Sequence, residues 1–236
     1  MKFSVIITLY NKEDYVGRAL HSVLGQDRRP DQIIIVDDCS TDNSVAAAKA
    51  AIAEQGSIAA GVDIQFHHHG QNGGPSVARN TALGHVTGDY VFLLDADDEL
   101  KPGVFSRAQH IFEAYDASLL FLQFERDPGG RVLPVIDGLM DVVEPLEPDI
   151  YRIPRSVQAF GHDSFGMNGS SVACKASALR GHLYQENLNC FEGLDFWYRV
   201  ARAMEARGKG AVLLGGIQVT IHLVPHSVSR KRVDQG

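Results

Sequence analysis

The chain has 236 residues, enough for one domain with a sizeable core, and 44% are hydrophobic against 22% charged, which excludes a collagen, a disordered tail and a disulfide miniprotein. With 22 basic and 29 acidic residues the net charge is −7, which argues against nucleic-acid binding; a phosphate-handling enzyme of this charge would recruit a metal. The three cysteines, Cys39, Cys174 and Cys190, are far apart and form no CxxC, so neither a disulfide framework nor a zinc ribbon is expected.

The N-terminal apolar stretch, Val5 to Leu9 broken by Thr8, is too short for a signal-peptide core. No run approaches the ~18 apolar residues of a membrane span. A cytoplasmic protein without a transmembrane segment is the expectation.

Strand and helix signals alternate over the first part of the chain. Phe3–Leu9 is a continuous apolar run, as in a buried parallel strand. Asp14–Leu24 carries apolar residues at helical spacing. Gln32–Val36 is a second buried strand closed by Asp37 and Asp38. Ser40, Thr41 and Asp42 signal a helix start before Val45–Gln55. Val62–Phe66 is a third strand, and Pro75–Leu83 a helix behind a Gly-Gly-Pro turn. Tyr90–Leu94, Gly103–Ala114 and Ser118–Phe124 follow as strand, helix and strand. The alternation predicts an α/β fold with a mainly parallel central sheet and helices on both faces.

The later part is less regular. The prolines and glycines of Asp127–Arg155 read as loops and a hairpin, Phe191–Arg207 as a helix and Val212–Leu223 as a final strand pair. The tail Arg230–Gly236 is polar and expected to fray. A soft boundary near residue 125 divides one domain, 1–236, into a regular half, 1–125, and an irregular half, 126–236.

Polar clusters stand at the carboxyl ends of these strands, where open parallel sheets place their ligands. Thr8, Tyr10 and Asn11 follow the first strand, Asp37 and Asp38 the second, the segment Asn72–Asn80 the third, and Asp95, Asp97 and Asp98 the fourth. Polar turns also occur at strand ends for no functional reason, but four abrupt terminations point to one ligand-binding rim. Asp95 and Asp97, two apart on an extended segment, share a side. Paired carboxylates repel unless a cation joins them, and oxygen ligands suit Mg²⁺ or Mn²⁺. Asp37-Asp38 is similar to the ribose-holding acid of dinucleotide-binding folds, yet no GxGxxG follows the first strand. The phosphates must then be held otherwise, and a metal is the substitute.

TLYN near the N-terminus, VDDCSTD at 36–42, NGGPSVARN at 72–80 and LLDADDELKP at 93–102 together resemble the signatures of the inverting family 2 glycosyltransferases of the GT-A fold, over roughly residues 3–105. Gln26 resembles the family's SxxxQ position, and FEGLDFWYR at 191–199 its acidic helix start. The resemblance implies a Rossmann-like first half that binds a nucleotide-sugar, most often a UDP-sugar, with Mn²⁺ or Mg²⁺. It places Thr8, Tyr10 and Asp38 at the nucleobase and Asp37 at the ribose. Arg79 and Asn80 fall under the nucleotide, Asp95 faces ribose and metal, and Asp97 is the metal ligand proper. His222 lies where some relatives supply a histidine to metal or diphosphate, with His226 nearby. The second half would take a saccharide or lipid-linked acceptor, and peripheral membrane contact is allowed.

Inverting transfer needs a carboxylate to accept the acceptor's proton. The family's helix starts Glu-Asp, whereas this chain reads Glu192-Gly193, with Asp195 two residues on. Asp195 is taken first as the base and Glu192 second; acids at a helix start also simply favour the dipole. Two alternatives stand beside the transferase: a nucleotide-sugar-binding protein without turnover, motivated by Gly193, and a nucleotidyltransferase, disfavoured because TLYNKED lacks a glycine-rich, arginine-bearing loop. His67, His68 and His69 alternate in direction along a strand and are expected to be solvated rather than a metal site. Trp197 reads as core or pocket wall, Asn168–Ser171 as a turn or acceptor-pocket lining, and Cys174 and Cys190 as buried thiols.

Overall fold

The computed structural model describes residues 1–188 and 190–224. His226 and the tail from 230 lie outside them. The elements run β1 (Phe3–Leu9), α1 (Val16–Leu24), β2 (Gln32–Asp37), α2 (Ser44–Glu54), β3 (Asp63–His68), α3 (Pro75–Leu83), β4 (Tyr90–Asp95), β5 (Glu99–Leu100) and α4 (Val104–Tyr115). They continue with β6 (Leu119–Asp127), β7 (Arg131–Leu133), β8 (Glu144–Glu147), β9 (Ile150–Ile153), α5 (Ser156–Phe160), β10 (Val172–Lys175), α6 (Glu192–Glu205) and β11 (Ala211–His222).

One sheet runs through the molecule in the order β3-β2-β1-β4-β10-β6-β11-β9-β8, with β5 on β11 and β7 on β6. The neighbours β3, β2, β1 and β4 are parallel, as apolar strands joined by helices require. Short β10 lies antiparallel to both β4 and β6, and β11 returns parallel to β6. The sheet is therefore mixed and mostly parallel.

Strand alternation divides the core into two layers. Phe3, Val5, Ile7 and Leu9 face α1, α2 and α4, through Leu20, Ala48 and Phe105 among others. Ile6, Ile34 and Val36 face α3, α5 and α6, where Ala78, Ala159 and Trp197 pack. Each fully buried large side chain contributes about 1.5–3 kcal/mol. Trp197 is core, not pocket wall.

Two expectations change. The final strand pair is one strand, β11, interrupted by a bulge between Leu214 and Val219. Gly216 and Ile217 there have φ of 76° and 44°, and their N–H groups donate to Gln123 Oε1 on β6 at 2.9 and 3.3 Å. Gln123, on a neighbouring strand, thus carries β11 across Gly215-Gly216. The proline-rich segment forms two hairpins rather than one, β6–β7 and β8–β9.

Candidate active site

Parallel pairing of β1 with β2 and β4 sets Leu9 beside Asp37 and Thr8 beside Asp95, so the polar clusters converge on one rim. The loops after β1 and β2 are stitched together. Thr41 N–H donates to Asn11 Oδ1 at 2.8 Å, and Lys12 N–H to Ser44 Oγ at 2.6 Å. Tyr10 stands at the edge of this rim, exposed.

Asp38 is buried and its carboxylate is fully engaged. Gly73 N–H and Gly74 N–H donate to its two oxygens at 2.9 and 2.7 Å, and His69 Nδ1 lies 2.8 Å away. Asp38 thereby fixes the loop that enters α3, where Gly74 adopts φ 84°, a conformation open to glycine. Asp37, also buried, receives the Ser40 N–H at 3.2 Å and lies 3.4 Å from His68 Nδ1. His67 stacks on His85 with ring centroids 3.8 Å apart. The three consecutive histidines do not converge, but His69 is no solvated strand end: it bridges Asp38 and Thr81.

Arg79, on α3, is the centre of the site. Its Nη2 donates to Asp95 Oδ1 at 2.9 Å, and its Nη1 lies 3.7 Å from Glu192 Oε1 at the start of α6. Thr8 Oγ1 shares Asp95 Oδ1 at 3.3 Å. The guanidinium sits 5.3 Å over the Tyr184 ring, and Asn80 holds Tyr184 by accepting its N–H at 2.8 Å. Burial opposes the charge on Arg79, but Asp95, Tyr184 and Glu192 outweigh it and hold the group above the usual arginine range. A buried guanidinium needs such partners. The rim of the first half and the helix start of the second are thus joined by one side chain.

The Asp95–Asp98 loop is pinned from behind. Ser170 Oγ donates to Asp98 Oδ2 at 2.5 Å and accepts the Asp95 N–H at 2.9 Å. His222 N–H donates to Asp98 Oδ1 at 3.1 Å. Gln26 Nε2 donates to the Lys101 carbonyl at 2.9 Å, tying α1 to the end of the same loop. Burial, then Asp95 and Asp97, push the Asp98 carboxyl well above the usual range. Asp97 is also raised, first by burial and then by Asp95, while Lys12 draws it back.

The metal donors offered are the oxygens of Asp95 and Asp97. The His222 ring stands instead between Glu99 and Asp127, at 3.5 and 3.3 Å. Among the described residues no three of His, Cys, Asp and Glu are grouped to hold an ion. Two carboxylates fit Mg²⁺ or Mn²⁺ where substrate phosphates complete the shell.

Glu192 and Gly193 line a cleft of about 410 Å³ whose other walls include Phe160, Phe165, Asn168, Gly169 and Phe191. Asp195 is not among its lining residues; both Nε and Nη2 of Arg199 donate to its Oδ2, at 2.9 and 2.8 Å. Lys12 was missing from the expected site, because a lone lysine carries no spacing signal. Asp98 was expected on the rim and Ser170 in a turn or pocket lining, but not their contact with each other.

The family model described as Glycosyl transferase family 2 matches residues 4–173, more than half of the chain. The chain belongs to glycosyl transferase family 2. Among curated relatives, the poly(ribitol-phosphate) beta-N-acetylglucosaminyltransferase TarS of Staphylococcus aureus is 29% identical over 136 residues, 57% of this chain and 22% of TarS. The teichoic acid poly(glycerol phosphate) polymerase of Staphylococcus epidermidis is 38% identical over 199 residues, 83% of this chain and 25% of that protein. The family 2 chain thus spans about a quarter of the length of these relatives.

In solved structures its fold is similar to S. aureus TarS in complex with UDP-GlcNAc, at TM-score 0.73 and 21% identity, covering 98% of this chain and 61% of that one. It is also similar to the mannosyltransferase PcManGT of Pyrobaculum calidifontis in complex with GDP-Man and Mn²⁺, at TM-score 0.69 and 17% identity, covering 99% and 60%. The single mixed sheet is that of GT-A glycosyltransferases. No helix among the described residues is long and apolar enough to cross a membrane.

Proposed function

We propose that this family 2 chain transfers a glycosyl unit, with inversion, from a nucleotide-sugar to an acceptor hydroxyl. The rim of Thr8, Tyr10, Asp37, Arg79 and Asp95 takes the nucleotide-sugar, a UDP-sugar being the first choice. Asp38 acts by holding the 72–74 loop against it. The cleft at Glu192 takes a saccharide or lipid-linked acceptor, and residues 126–236 supply most of its walls. The observation that carries this reading is the Asp95–Arg79–Glu192 chain of contacts, which couples the donor rim to an acid in the acceptor cleft.

The acceptor oxygen attacks the anomeric carbon from the face opposite the departing nucleoside diphosphate. One bond forms, one breaks, and the acceptor proton passes to a carboxylate. We assign that proton to Glu192 before Asp195, because Glu192 lines the cleft whereas Arg199 occupies Asp195. A divalent ion held by Asp95 and Asp97 supplies Lewis-acid stabilisation of the leaving group when bound. Arg79 orients both Asp95 and Glu192.

Transfer from labelled UDP-sugars is the test. Glu192→Gln is expected to keep donor binding and to lower transfer by about 10²–10⁴-fold, the usual contribution of a general base. Asp195→Asn is expected to cost far less; the reverse order would move the base to Asp195. Gly193 favours a second reading, a nucleotide-sugar-binding protein without turnover, and saturable donor binding with no product from any acceptor would establish it.

A further inference from the structure

Each acid of Asp95-Ala96-Asp97 carries its own resident cation. Arg79 sits on Asp95, and Lys12 Nζ lies 2.7 Å from Asp97 Oδ2. The Lys12–Asp97 pair is largely buried, with side chains 16% and 12% exposed. The lysine backbone is fixed on both sides: its N–H donates to Ser44 Oγ, and its carbonyl accepts from Tyr15 and Val16 at 3.0 Å each. Arg18 Nη2 fixes the other partner by donating to the Asp97 carbonyl at 3.1 Å.

The two cations differ in kind. Arg79 is a rigid fork locked between Asp95, Glu192 and Tyr184. Lys12 is a compact charge on a flexible stem and can change partner. A divalent ion arriving alone would have to take Asp97 Oδ2 from Lys12 and leave an ammonium in a mostly buried place without a counter-charge. Uncompensated charge in such a place is expensive. A diphosphate arriving with the ion removes that cost, because its oxygens accept the displaced ammonium.

We propose that Lys12 is a positioning residue that gates Asp97, occupying it until a divalent ion and a diphosphate enter together. Ion and nucleotide then bind as a coupled pair. This rests on the donor site proposed above.

Mn²⁺ binding, read from the electron paramagnetic resonance of the free ion and corrected for the Mn²⁺–UDP complex in solution, tests the gate without any turnover. The wild-type protein is expected to bind Mn²⁺ at least about tenfold more tightly with UDP than without it, within the usual range of site coupling. Lys12→Met is expected to bind Mn²⁺ more tightly than wild type when UDP is absent, and to lose most of the enhancement by UDP. Lys12→Arg keeps the charge and should stay close to wild type.

Where calorimetry shows that UDP binds, equal Mn²⁺ affinity of wild type with and without UDP overturns the gate, and needs no variant. So does an unchanged or weaker affinity in folded Lys12→Met; if that variant does not fold, Lys12→Gln is read in its place. Calorimetry showing no UDP binding in any protein sinks the donor site instead, and the Lys12→Met comparison in Mn²⁺ alone still reads the gate.

Discussion

Gly193 is where this chain departs from its family's acid pair, and its surroundings make the departure testable. A Cβ built at Gly193 would meet no atom within 4 Å, and the residue lies in the first turn of α6. Gly193→Asp is therefore expected to fold as wild type, with the added acid favoured by the helix dipole. If Glu192 serves as a makeshift base, transfer should rise in Gly193→Asp, as measured by initial rates with a saturating UDP-sugar. An unchanged rate would mean that the proton is already handled well by Glu192. Cys39 reports on the proposed donor rim, since it follows Asp38 and is partly exposed. Thiol labelling followed by peptide mapping should show Cys190 reacting first and Cys174 not at all in the folded protein. Cys190 is exposed, which corrects the expectation that it is buried, whereas burial raises the Cys174 thiol far above its ordinary range. UDP should slow labelling of Cys39 alone. Equal protection of Cys190 would place the ligand elsewhere. At this scale the residue types of the site were legible and their division of labour was not. Asp38 and Asp95 look alike in sequence, but one is spent on backbone N–H groups and the other remains on the rim. That difference depends on a loop 35 residues away in the chain.

At the scale of elements, the loop after β4 is held by its third acid. Asp98 links β4 to β11 and to the turn at Ser170, so it is a strut behind Asp95 and Asp97. Its raised carboxyl makes folding take up a proton. The stability tied to that proton is full below the unfolded value of about 3.9 and is lost as pH rises through the folded value. Asp98→Asn does not titrate at this position. The stability of wild type relative to Asp98→Asn should therefore fall as pH rises from about 4, in urea melts at a series of pH values. A difference independent of pH would contradict the strut's protonation. Element types were readable because apolar runs and helical spacing are local: the span Pro75–Leu83 agrees to the residue. The bulge in β11 was not readable, because nothing local joins the two strands expected over Val212–Leu223. Gln123, on another strand, satisfies the Gly216 and Ile217 N–H groups, the Asp149 carbonyl accepts that of Gly215, and the strand continues.

At the scale of the molecule, a chain of net charge −7 gathers its acids at the end of a parallel sheet and meets them with Lys12, Arg79 and, by the present proposal, a divalent ion. The first half was legible because four strand ends fall in order along the sequence. The second half was not, since β10, β6 and β11 interleave in the sheet out of chain order. The cleft at Glu192, proposed for the acceptor, draws on the same half, with Phe160, Asn168 and Glu192 brought together from three segments. Calorimetric titration of UDP into the wild-type protein in the presence of Mn²⁺ tests the donor rim most directly. Saturable binding of about one UDP per chain, with thermal stabilisation near 2.7 kcal/mol at a hundredfold excess over Kd, is the expected result. No heat and no stabilisation from UDP or any other nucleoside diphosphate, with or without the ion, would contradict it.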